Sequence, residues 1–183
     1  MIHLDKIIKG RYRFGLITAA LAALAPCPSL WADQVAVEYE MTYVANQAEG
    51  NLVADGRYQR AIDRLAANPD DPVVNSLNLC VAQTLAGRHR DARRSCNRAV
   101  DLSEQAARSA PADRRDEHHR TWAIALSNRG VLRAIRGQQG AEDDFRLAIE
   151  LQAQPEIAAR NLARFNGENR GARTVIEVAS TER

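Results

Sequence analysis

The chain repeats itself. Three segments share one plan: GRYQRAIDRL from Gly56, GRHRDARRSCNRAVDL from Gly87 and GQQGAEDDFRLAIEL from Gly137. In each, a glycine turn precedes an alanine (Ala61, Ala92, Ala141), and four residues on stands a larger side chain (Leu65, Cys96, Phe145). In the second and third, another alanine follows three further along, at Ala99 and Ala148. Self-similarity of this kind restricts a chain to stacked supersecondary units, because one unit cannot bury its apolar face alone. The three- and four-residue spacings put these positions on one stripe of a helix. Alanine at the repeated positions lets one helix cross closely over another.

The units read as helical hairpins. The first runs from about Thr42 to Asn68 and turns at Asp55–Arg57, with Tyr58, Ala61, Ile62 and Leu65 on the stripe of its second helix. Asp71 is placed to cap the next helix, with Pro72 in its first turn, where a missing N–H costs nothing. The second hairpin covers Val73 to about Leu102 and turns at Ala86–His89. Between Ser103 and Arg120, alanines mix with charges around Pro111. A structureless loop of that length is unusual in a compact domain. The preceding helix is therefore expected to run to about Ser109 and the next to start after Pro111. The third hairpin spans Trp122 to Leu151, and a last helix, Glu156 to Phe165, aligns Ile157, Ala158, Leu162 and Phe165. Aromatics make up only 5% of the chain, so the core must come from Ala, Leu, Val and Ile, which leans towards helix.

The repeat resembles the tetratricopeptide repeat family. The third unit carries the resemblance most clearly, through Asn128, Gly130, Ala141, Phe145, Ala148 and Leu151. The second matches through Leu79, Gly87, Ala92, Ala99 and Leu102, and the first mainly through Tyr58, Ala61 and Leu65. Cys80 and Cys96 depart from the family pattern, and an insertion separates units two and three. An array of Sel1-like hairpins is the alternative. The resemblance implies an all-α, short right-handed solenoid of about three helix pairs with a C-terminal capping helix. It also implies a concave groove for a protein or peptide, lined by the first helix of each pair. Here those residues are Val74, Leu77, Asn78, Val81, Leu85, Ser127, Asn128, Val131 and Ile135. The groove is mostly apolar and suits an extended or helical segment. For Asn78 and Asn128, a structural hydrogen bond within the array stands beside ligand contact. On this reading, a charge at Leu77 or Val81 weakens binding and leaves the helical content nearly intact.

The first 32 residues read as an export signal. A basic start ending at Arg13 precedes Phe14–Ala25, twelve residues without a charge, and then Pro26, Pro28 and Ser29. That is the three-part secretory pattern, and the apolar run is short for a bilayer span. Cleavage is expected near Ala32, giving a periplasmic or secreted protein with no stable membrane insertion. A retained N-terminal anchor, or lipidation at Cys27 within Leu24–Cys27, are the alternatives. Residues 33–44 form a lead-in. Val35, Val37, Tyr39, Met41 and Tyr43 alternate as in a strand, while Tyr39 and Tyr43, four apart, also fit a helix. The domain plan is thus a signal at 1–32, a lead-in at 33–44, a repeat domain at 45–165 with an insertion at about 103–121, and a polar tail at 166–183. Val175, Ile176 and Val178 form a small apolar island in that tail.

Charge and motifs narrow the function. The formal charge is +2, of which Lys6, Lys9, Arg11 and Arg13 against Asp5 carry +3. The remainder sits near −1, with arginine as its only basic residue other than histidine. No block of like charge suits a nucleic-acid backbone. His89 falls in a turn and is expected to be solvated, and the adjacent His118 and His119 lack a metal-ligand spacing. Asp143 and Asp144 are expected on an outward, solvated face. Neither a phosphate loop nor a nucleophile elbow is present. No cofactor is implied. The expected function is a non-catalytic binding module or adaptor of the cell envelope, with a structural subunit of an envelope assembly as the alternative and an enzyme behind both.

Cys80 and Cys96 are expected to form a disulfide. Export places them where such bonds persist. Each lies eight residues from Arg88, the centre of the hairpin turn, so both stand roughly 12 Å along their helices and are level with each other. The alternative is two buried free thiols.

Overall fold

The structure, a computed structural model, describes residues 6–9, 39–45, 48–67, 71–151 and 155–167. The apolar run, the proline break, the cut site near Ala32, Cys27 and the tail from residue 168 lie outside the described residues. Among the described residues, seven helices follow in order: α1 (Ala48–Ala54), α2 (Tyr58–Ala67), α3 (Pro72–Leu85), α4 (His89–Ser109), α5 (Arg115–Ile135), α6 (Ala141–Glu150) and α7 (156–167). Through α6, each helix packs on the one before it. Two short strands, β1 (Lys6–Lys9) and β2 (Glu40–Tyr43), pair antiparallel, with Ile8 opposite Met41 and Lys6 opposite Tyr43. Among the described residues, no helix is long and apolar enough to cross a membrane.

The three repeated turns close in the same way. Gly56, Gly87 and Gly137 all have positive φ. In each turn the residue after the glycine donates its N–H five residues back: Arg57 to Leu52, Arg88 to Gln83 and Gln138 to Arg133, at 2.8–2.9 Å. This is the left-handed glycine cap that satisfies the last carbonyls of a helix. At the opposite end of α3, Asp71 accepts from the N–H groups of Val73 and Val74 at 2.9 and 3.1 Å, with Pro72 in the first turn. The charged stretch around Pro111 lengthens two helices. α4 continues to Ser109, and a 3₁₀ turn (Ala112–Arg114) leads into α5.

Small residues set the helix spacing. Ala61, Ala92, Ala141, Ala99 and Ala148 are all buried. Gly130 on α5 lies under Phe145 of α6, and a Cβ built there would stand 2.7 Å from the ring. The matched pair of a missing side chain and a fully buried phenylalanine therefore fixes the α5–α6 crossing. One ion cluster overturns a sequence expectation. Asp144 is buried and not solvated, because Arg129 grips both of its carboxylate oxygens (3.0 and 2.7 Å) and Arg133 adds a third bond at 2.8 Å. Asp143 is exposed as expected.

Cys80 on α3 and Cys96 on α4 are disulfide-bonded, with Cα atoms 4.7 Å apart. The level positions across the turn bring them there. The bond closes a short loop, so its loss should cost about 2–4 kcal/mol. Denaturant titration with and without reductant should show that drop in stability. On the denatured, unreduced protein neither cysteine should react with a thiol reagent, and two reactive thiols from this pair would refute the bond.

Candidate functional site

Along the first helices of the second and third hairpins, α3 and α5, where a groove was expected, lie the chain's own residues 39–45. β2 is an extended strand whose main chain is held by three asparagines. Asn78 of α3 accepts the N–H of Val44 at 2.9 Å and donates to its carbonyl at 3.1 Å. Asn128 of α5 does the same for Thr42, at 2.9 and 2.7 Å. Asn161 of α7 does so for Glu40, at 2.9 and 2.8 Å. Each carboxamide offers one acceptor and donors, so it matches the N–H and C=O of one residue as a neighbouring strand would. Strand geometry turns every second residue to the same edge, and the asparagines take every second residue. All three are almost completely buried. There, an unmatched carboxamide or peptide group would cost about 1–3 kcal/mol.

Side chains of the strand finish the packing. Tyr39, Met41 and Tyr43 enter one core cluster with Ile62, Val81, Val131 and Phe145, and the Tyr39 ring stacks on Phe145 with centroids 6.4 Å apart. Val44 enters the other cluster, with Val74 and Leu77. Glu40, only 1% exposed, turns to α7. Arg160 donates to both of its oxygens at 3.0 and 2.8 Å, and Arg164 forms an ion pair at 3.1 Å. The hydrogen bonds from Arg160 hold the Glu40 carboxyl below its ordinary range against the opposing effect of burial.

Of the groove residues read from the sequence, Val74, Leu77, Asn78, Val81, Ser127, Asn128 and Val131 are buried, and Leu85 and Ile135 are half-buried. The floor is therefore covered by residues 39–45, which changes the expected effect of a charge there. Asn78 and Asn128 hydrogen-bond to the extended segment, a structural role within the chain. Asn161, Glu40 and Arg160 belong to the same site, although helical periodicity does not single them out. Position would have served for Asn161, which follows Asn128 by 33 residues, close to one repeat. The lead-in strand has two partners: the asparagine row on one edge and β1 on the other.

No family model, curated protein or solved structure matches this chain. Among the described residues, no group of three histidine, cysteine or acidic side chains could hold a metal. What the arrangement offers chemically is recognition of an extended main chain.

Proposed function

We propose that the chain is a non-catalytic, tetratricopeptide-repeat-like module of the bacterial cell envelope that binds an extended segment of a partner protein. The observation that carries this reading is that the asparagine row holds residues 40, 42 and 44 along one edge of the extended segment, which leaves the main chain of Met41 and Tyr43 for strand pairing on the other. The basic and apolar N-terminus and the Cys80–Cys96 bond support an oxidising compartment outside the cytoplasm.

The alternation of the strand also suggests how a partner docks. Residues 40, 42 and 44 spend their main-chain groups on the asparagines, so those of Met41 and Tyr43 turn to the opposite edge. That edge faces β1. If a leader is cut near Ala32, residues 6–9 leave with it, and a partner strand can take their place by strand addition.

Immobilised secreted protein, challenged with envelope extract, should retain a partner that exchanges with free protein in solution. Hydrogen exchange of the isolated complex should then show slower exchange at the Met41 and Tyr43 amides. Asn128→Leu leaves the N–H and C=O of Thr42 without their buried partner, and should loosen residues 39–45 and weaken capture roughly tenfold or more. Capture that leaves the exchange of Met41 and Tyr43 unchanged would place the binding surface elsewhere. A partner locked in fixed ratio would point to a structural subunit.

A further inference from the structure

The turn of the α3–α4 hairpin and the turn of the α5–α6 hairpin lie side by side, and a cleft of about 640 Å³ opens between them. Arg88, His89, Arg90 and Arg93 line it from the first hairpin, and Arg136 and Gln138 from the second. Its one carboxylate, Asp91, is already engaged by Arg88 at 2.8 Å and also by Arg94. The charge of Arg90 also acts on Asp91, whereas Arg93 and Arg136 form no ion pair among the described residues. Arg93 and Arg136 thus bring two guanidiniums without an ion pair to one cleft from hairpins far apart in sequence.

Two further features belong to the cleft. Arg88 stands at the N-cap of α4, a helix of 21 residues, and makes no side-chain cap. The first amides of α4 are therefore left without helical acceptors, at the positive end of its dipole. His89, expected to be solvated, is half-buried, and its Nδ1 is shut off from water without a hydrogen-bond partner. Burial, and then the charge of Arg136, push its pKa below the ordinary value.

We infer that this cleft is an anion site that takes a phosphate group, either free or carried on a lipid headgroup. Forked guanidiniums and helix-terminal amides both suit a compact oxyanion with several acceptor oxygens. The site is separate from the asparagine row and stands whether or not residues 39–45 serve a partner.

The test uses two probes on the purified protein: inorganic phosphate, and vesicles of phosphatidylcholine with or without phosphatidic acid. Arg93→Gln and Arg136→Gln change exposed side chains and should fold normally, which circular dichroism checks. Phosphate is expected to bind, to move the His89 ring resonances, and to lose roughly tenfold or more in affinity in either variant. If only the phosphatidic acid vesicles bind, and both variants lose that binding, the phosphate is a headgroup. If neither probe binds above a chloride control, or if both variants bind as well as the parent, the site is overturned.

Discussion

Val81→Lys should abolish cooperative folding. Val81 is fully buried beneath residues 39–45, within the cluster that holds Tyr39, Met41, Tyr43 and Val131. An ammonium there would stand among apolar side chains. An unpaired buried charge costs several kcal/mol, against a total stability of about 5–15 kcal/mol for an ordinary domain. Leu77→Lys, at an equally buried position in the neighbouring cluster, should behave alike. Far-UV circular dichroism and urea titration decide the matter. Both variants should lose helical signal or unfold at far lower denaturant. Val81→Ala removes only two methyl groups and should retain a sharp transition. If Val81→Lys kept the parent's midpoint, residues 39–45 would not cover the groove in solution.

That outcome reverses what the repeat alone suggests, and the reason is physical. Periodicity reports which face of a helix is apolar, and it placed α2, the Asp71 cap, the end of α4 and the Cys80–Cys96 pair from local spacing. It does not report what covers an apolar face. Here the cover is a strand whose partners are side-chain amides 34, 86 and 121 residues away. Its alternating pattern was visible from Val35 to Tyr43, but strand pairing is normally sought against another strand. Asp144 escaped for a related reason. A carboxylate next to Asp143 on an acidic helix looks solvated until Arg129 and Arg133, one turn apart on α5, are brought onto it. His89 is likewise half-buried, beside Arg136 of a turn that its own sequence neighbourhood does not reveal.

Glu40 should make the fold acid-sensitive in a way that Glu40→Gln removes. The carboxylate is buried, while its partners Arg160 and Arg164 keep 46% and 31% of their side-chain surface. Water still reaches the cations, so the contribution is well below the 3–5 kcal/mol of a fully buried pair. About 2 kcal/mol at neutral pH is a fair expectation. Its pH dependence follows from linkage. The folded state lowers the pKa of Glu40 below the ordinary 4.5, so the folded chain holds its proton less tightly than the unfolded one. The stabilisation is complete above the unfolded pKa and is lost as pH falls below about 4.5 through the folded value. Other carboxylates titrate in the same window, so the informative quantity is the gap between parent and Glu40→Gln. Measured by urea midpoint from about pH 7 to pH 3, the gap should be widest at neutral pH and close on acidification. A gap that stayed constant across that range would mean that Glu40 holds residues 39–45 by packing and hydrogen bonds, and not as an ionised partner of α7.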